Sequence, residues 1–420
     1  MNFKSMVAVV TMGAAIAANA YEVRNVSASS RWPWNGLVYV DYELVRGDSP
    51  DQLYSIDVSA TTEGGVRKLY GGTIVSGRLV GVGRNRLVWD FGKDYPDVIA
   101  HDLEVTVTAT PKPVHPGTEL YCVIDLSDGP DATYYPVRYE TTGPDHVQGA
   151  SGEKCQTTEM WFRRVGTGPY PFHGTDSNSG KGYYQVRFSN PFYCAVFECT
   201  QQQWFQVMGT WPSAFTNEVC RASRPVETIT QNDILGQCNW PDNKTIAAES
   251  FVGRIRARTG LKTFNLPTEG QWEYACRAGA TKSAFNGTSP YMRYKDNSGT
   301  VKNFSEDVSV GTAYVGTYSP NKWGIYDILG NVGEWLLDTW VGETELKALY
   351  ADEVALTGYV TDPQGPANTA SSKNEHCVRG GYYGNSSGYC AVYARGDNEH
   401  YSATSASKGH YGARFVITCE

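Results

Sequence analysis

The chain has 420 residues, a formal net charge of -8, 41% hydrophobic and 19% charged residues. That apolar fraction excludes an intrinsically disordered chain, and 36 basic against 44 acidic residues, with no long basic run, argue against a nucleic-acid binder. Aromatics at 13%, Tyr foremost, with 44 Gly favour a loop-rich, strand-rich protein of two or three domains over a helical bundle.

Residues 1–20 read as a cleaved export signal. Lys4 gives a basic start, Met6 to Ala17 is apolar apart from Thr11 and Gly13, and Ala18-Asn19-Ala20 supplies the small-x-small cut. The run is too short to span a bilayer and no second one follows, so no membrane span is expected. The expectation is an exported protein, periplasmic, secreted or at the cell surface, with Tyr21 starting the mature chain. An oxidising compartment favours disulfides among Cys122, Cys155, Cys194, Cys199, Cys220, Cys238, Cys276, Cys377, Cys390 and Cys419. No pair is spaced C-x-x-C, and seven scattered His form no H-E-x-x-H, so a zinc ribbon, a thioredoxin-type centre and a zinc hydrolase have no support.

From residue 21 to 110, short alternating runs are separated by Gly, Asp, Asn and Pro: Val23–Ala28, Leu37–Leu44, Tyr54–Ala60, Leu69–Val75, Leu87–Phe91 and Leu103–Ala109. They predict a small all-β sandwich of immunoglobulin-like type, a spacer or adhesion module without chemistry. Residues 111–118 then read as a stiff Pro-rich linker, with Pro111, Pro113 and Pro116. The second domain is expected over 119–420 and has helix signals amid long Gly/Asn/Ser/Tyr stretches. Thr200-x-x-Gln203 and Thr268-x-x-Gln271 are capping boxes, stopped at Gly209 and Gly279, and a third helix is expected from Ala247 to Arg258.

Sequence blocks follow in this order: Phe192 to Gln201 with Trp204; Met208-Gly209-x-x-Pro212-Ser213-x-Phe215; Arg224-Pro225-Val226-Glu227; Leu266 to Gly279; Pro320 to Trp335; Asp362-Pro363-x-Gly365-Pro366; Arg379-Gly380-Gly381. The series resembles the formylglycine-generating enzyme (sulfatase-modifying factor) family across roughly Glu119–Glu420. The resemblance implies an α+β, loop-rich, C-type-lectin-like domain preceded by the sandwich. It also implies an oxidase that holds Cu(I) between two cysteines five positions apart after R-G-G, soft thiolates suiting that ion. Here Cys390 falls on the second position, but Asn385 stands on the first, and Tyr382 replaces the serine that follows G-G. Copper is therefore not expected, and Cys390 is catalytic only if the chain is an active oxidase; otherwise it is a buried thiol or half of a disulfide, with Cys377 a candidate partner. The same resemblance implies calcium at Asp327, the carbonyls of Gly330 and Val332, and Glu334, hard oxygen donors in one turn, with a second site near Asn297 and Asp307. The residues alone equally allow Asp327 to cap a turn and Glu334 to form an ion pair.

The window Tyr382–Tyr411 holds six Tyr, five Ser, four Gly and two Asn, and no Leu, Ile, Phe, Met, Trp or Pro. That mixture is the one antibody loops use for contact, and it predicts an exposed ligand-binding surface. Candidate contact residues are Tyr382, Tyr383, Asn385, Tyr389, Tyr393, Asp397, Asn398, His400, Tyr401, His410 and Tyr411. The placement resembles the variable proteins of diversity-generating retroelements. An extracellular protein or glycan is the expected partner; the alternative is a copper-dependent oxidase making formylglycine on sulfatase cysteines.

Overall fold

Along Leu37–Val45 the odd-numbered residues are half-buried, while Val38, Val40, Tyr42 and Leu44 are buried, so alternation commits one face of this strand to a core. The computed structural model describes residues 22–419, apart from 31–35, 46–52, 63–66, 77–78, 81–82, 99–102, 113–119, 173–181, 281–289, 306–308, 368–374, 396–399 and 405–408. Leu37–Val45 pairs antiparallel with Glu22–Ser30 on one side and Gly83–Asp90 on the other, and Ile74–Ser76 completes the sheet. The facing sheet centres on Leu53–Thr62, bonded to Arg67–Tyr70, Leu79–Val80 and Glu104–Lys112. Val40, Ile56, Leu87, Trp89 and Leu103 close the core between them. Two details differ from expectation. The strand Gly83–Asp90 stops before Phe91, because the Asp90 carboxylate accepts the Lys93 N–H and caps the one-turn helix Phe91–Asp94. Pro111 and Lys112, expected in the linker, extend the strand Glu104–Lys112, where they lie opposite Tyr54 and Leu53.

The second body is mixed α/β with few helices. Its six-stranded antiparallel sheet runs Val137–Glu140, Tyr121–Asp125, Glu159–Val165, Phe192–Ala195, Val416–Thr418, Phe264–Asn265, so Val416–Thr418 lies between Phe192–Ala195 and the edge strand Phe264–Asn265. A second sheet orders His400–Ser402, Glu375–Arg379, Gly333–Thr339 and Tyr411–Gly412. Gln201–Met208 and Glu269–Arg277 carry both reciprocal capping-box bonds. The first ends at Gly209 (φ 73°); the second ends one residue before the expected glycine, with Ala278 taking the left-handed conformation (φ 47°). The third helix starts later than expected, at Phe251–Thr259, because the Ser250 hydroxyl accepts the Gly253 N–H and sets the N-terminus there. Among the described residues, no helix is long and apolar enough to cross a membrane.

Arg86 joins the two bodies. From the sandwich strand it holds Asp41 at 2.7 Å and reaches Asp128 at 2.5 Å and the Tyr134 hydroxyl at 3.3 Å. Burial opposes its charge, but the two carboxylates win and raise its pKa further. Arg86→Ala should weaken coupling between the bodies by about 2 kcal/mol, the scale of charged hydrogen bonds. In calorimetry this appears as a wider separation of their unfolding transitions; a profile like the parent's would refute it.

Candidate functional site

The site is built at the end of the strand Glu375–Arg379, where Gly380 (φ 92°) and Gly381 (φ 70°) turn the chain. A Cβ at Gly381 would lie 2.8 Å from Cys390 Sγ and 3.0 Å from the Tyr389 carbonyl, so only glycine lets the following loop close over it. Beneath the turn is a buried charge network. Arg379 donates to Glu269, and to Glu273 at 3.0 Å; Arg395 reaches Glu269 at 2.6 Å; Arg277 pairs with Glu273 at 2.7 Å. Arg379 and Arg395 also donate to the Val392 and Val341 carbonyls, at 2.6 and 2.9 Å. Asp338 accepts the Glu269 N–H at 2.7 Å, and burial, reinforced by the Glu269 charge, pushes its carboxyl up to about 8.

Asn385 does not face Cys390 as a ligand. Its side-chain oxygen accepts the Tyr382 N–H at 2.8 Å, and its own N–H donates to the Tyr382 carbonyl at 2.9 Å, so the residue closes a turn. Cys390 is buried, with Sγ 4.0 Å from that carbonyl. All ten cysteines are free thiols, nine of them buried, which corrects the expected disulfides, including the Cys377–Cys390 pair. Cys377 is instead packed in the charge network, 3.7 Å from Glu269 and 3.8 Å from Arg395, and burial holds its pKa well above the ordinary thiol value.

The expected contact residues divide. Tyr382 stacks on His410 at 4.1 Å between ring centroids; Tyr383 and Tyr411 meet this pair edge-on. Tyr389 stands 46% exposed, and Tyr382, Asn385, Tyr393 and His410 are half-buried. Tyr383 and Tyr411 are buried, contrary to the expected exposure: Tyr383 packs against Phe215, and Tyr411 packs on Trp335. Beside the buried Ala391 and Val392, the segment uses these aromatic rings as core anchors. His400 and Tyr401 lie on the edge strand His400–Ser402, and Asp397 and Asn398 fall outside the described residues. Sequence reasoning gave no role to Arg395, because its partners are remote in the chain. It also missed a cleft of about 460 Å³ lined by Trp240, Lys244, Arg256, Lys262 and Asp362, which contains none of the tyrosine segment.

The calcium set does not fit as expected. Asp327 suits a hard cation: it is buried, Oδ2 accepts the Gly316 N–H at 2.5 Å, and Oδ1 has no hydrogen-bond partner. Glu334 does not, since Arg414 Nε contacts both its oxygens, at 2.9 and 3.2 Å, and the Trp272 indole donates at 2.7 Å. An arginine already supplies the charge a calcium ion would bring. Gly330 and Val332 flank Asn331, whose amide donates to the buried Glu198 at 2.6 Å; Val332 N–H donates to the same carboxylate at 3.1 Å. Asn297 spends its amide on the Tyr294 N–H and the Met292 carbonyl, and Asp307 lies outside the described residues.

Residues 152–419 match the family described as sulfatase-modifying factor enzyme 1-like domain. The chain is 29% identical over 180 residues to the formylglycine-generating enzyme of Mus musculus, covering 41% of this chain and 39% of that one. It is 32% identical over 175 residues to the chaperone protein LppX of Paenibacillus barcinonensis, covering 34% and 61% respectively. It is also 32% identical over 121 residues to the inactive C-alpha-formylglycine-generating enzyme 2 of Mus musculus, covering 28% and 32%. The chain thus spans less than two thirds of each of these relatives.

Two outcomes follow from the buried charges. Glu334→Gln should destabilise this body by about 3–5 kcal/mol in chemical denaturation, because it leaves Arg414 buried without its counter-charge; a loss under about 1 kcal/mol would contradict the ion-pair assignment. The raised Asp338 pKa means that, above its ordinary value of 3.8 and up to about 8, the folded state keeps a proton that the unfolded chain releases. Stability therefore falls as pH rises through that window, by up to ~1.4 kcal/mol per pH unit for this proton. Asp338→Asn should flatten that slope; an unchanged pH profile would show that Asp338 titrates normally.

Proposed function

Since the chain belongs to the family of sulfatase-modifying factor enzyme 1-like domains, we propose that it is an exported binding or display protein with a degenerate copper position. Its ligand, an extracellular protein or glycan, would be engaged by Tyr382, Asn385, Tyr389 and His410. The observation that carries this reading is Asn385. Cu(I) chemistry of the kind the family uses needs a second soft thiolate, and the residue at that place is an amide already spent on closing the Tyr382 turn. Cys390 without a partner thiolate is a packed side chain, and its sulfur sits against Gly381.

What remains at the surface suits contact. Tyr389 is exposed above a turn held by the Tyr389 N–H to Ser386 carbonyl bond at 3.0 Å, and the Tyr382–His410 stack gives a rigid aromatic plane beside it. Rigid rings lose little conformational entropy on binding, which is why a few of them can dominate an interface. The charge network beneath holds this surface in place and takes no part in contact. The second reading, a copper-dependent formylglycine-generating oxidase, rests on Cys390 and on the likeness to an active enzyme of that name.

A mass-spectrometric assay decides between them: mature protein, Cu(I), oxygen and a cysteine-containing sulfatase-motif peptide, with Cys390→Ala beside it. The expected result is no formylglycine while an authentic enzyme turns over in the same buffer; turnover abolished by Cys390→Ala would overturn the binding reading. In a screen against immobilised glycans and extracellular proteins, Tyr389→Ala is expected to weaken the captured interaction at least about tenfold, the effect of a 1.4 kcal/mol contact. Binding unaltered by both Tyr389→Ala and Tyr382→Ala would move the contact surface elsewhere.

A further inference from the structure

The segment before Glu159 carries no family block, yet it is tied tightly to the core. Gln156 donates its amide to the Ala150 carbonyl at 2.9 Å and to the Val315 carbonyl at 2.7 Å. The Gly149 N–H reaches the Gly316 carbonyl at 3.1 Å, and the Gly152 N–H reaches Ser223 Oγ at 2.6 Å. Inside this fold-back, side chains of three donor types converge. His146, Glu153 and Cys155 each place a ligand atom so that all lie within 4.8 Å of one another. His146 Nδ1 contacts Glu153 Oε2, and Cys155 Sγ is 4.0 Å from the same oxygen. The His146 and Cys155 side chains are buried, while Glu153 keeps 23% of its side chain exposed, which leaves an approach from solvent.

We propose that His146 Nδ1, the Glu153 carboxylate and the Cys155 thiolate form a site for one divalent transition-metal ion, zinc matching the mixed N, O and S donors best. The arrangement has the outer contacts such a site needs. His146 Nε2 lies 3.2 Å from the Gly316 carbonyl, a partner for an Nε2 proton when Nδ1 binds a metal. The rings of Phe197 and Tyr326 stand edge-on to the imidazole at 5.0 and 5.3 Å and fix its plane. The approach of the backbone is built in: Gly316 takes φ 79°, and a Cβ there would lie 2.1 Å from His146 Nε2.

The charges also call for a cation. Asp327, which bonds the Gly316 N–H, keeps a buried Oδ1 without a partner and interacts electrostatically with His146. A divalent ion on His146 would offset that carboxylate. Three protein donors leave a fourth position for water or a ligand, and the metal would pin residues 146–155 to the core at Gly316.

The test uses the full chain, stripped with a chelator and reloaded with Zn²⁺ or Co²⁺. One zinc per chain by elemental analysis is expected, and the cobalt form should show thiolate-to-metal charge-transfer absorption. His146→Ala and Cys155→Ser should each weaken zinc binding at least about tenfold, a loss seen even for outer-sphere partners, while Cys419→Ser binds like the parent. Absence of stoichiometric zinc, a cobalt spectrum without a thiolate band, or equal binding by both site variants would overturn the assignment. Should a variant fail to fold, the cobalt spectrum of the unaltered protein decides.

Discussion

Everything in the second body hangs on Arg414. Its guanidinium holds Glu334 on the strand Gly333–Thr339 and donates to the Ala195 carbonyl at 2.9 Å and the Tyr326 carbonyl at 2.8 Å. Trp272, from the helix Glu269–Arg277, completes the Glu334 carboxylate. One buried cation thus fixes the chain end, a strand of each sheet, a loop and a helix. Taking such a pair out of water is costly, and its net contribution over an apolar equivalent is small; what it supplies is register, because any slip of one segment strands a full charge in the core. A domain with so few helices and such long loops has little else to impose uniqueness.

The Arg379–Glu269–Glu273–Arg277 network repeats the device, with Arg395 as the extra cation. Its effect is to clamp Arg379 and, through it, the double-glycine turn that carries Tyr382 and Cys390. A loop anchored this firmly at its base can vary at its tip with little cost to the fold. A scaffold of this kind can therefore keep its fold while the residues at the loop tip change.

How much of this was legible depended on range. Capping boxes at Thr200 and Thr268 were readable because donor and acceptor lie within one turn. The late start at Phe251 shows the limit: Ser250 was the stronger cap, but Ala247 and Ala248 carry good helix propensity and no signal against it. The sandwich strands followed from alternation, and the α+β, loop-rich character from the blocks. Arg414 and Glu334 are 80 positions apart, Arg379 and Glu269 110, and no local pattern pairs them. Composition also misread Tyr383 and Tyr411, since it could show that Leu and Ile were missing but not that tyrosine rings would take their place in the core. His146, Glu153 and Cys155 escaped notice because their spacing matches no metal motif and they meet only where the segment folds back.

Burial accounts for the free state of the thiols. Disulfide formation requires a thiolate, and desolvation raises the thiol pKa to about 12 at Cys155 and Cys194 and well above the ordinary value at Cys377. At neutral pH the reactive fraction at such sites is negligible, and an oxidant gains access only when the body opens. Buried cysteine then behaves as a small apolar residue, and the sheet core at Cys122, Cys194 and Cys199 uses it that way. Cys419, half-buried, is the exception in position and therefore in exposure to oxidants. Cys390 is packed in the same way, its Sγ 4.0 Å from the Tyr382 carbonyl, and the neighbouring Asn385 side-chain oxygen accepts the Tyr382 N–H.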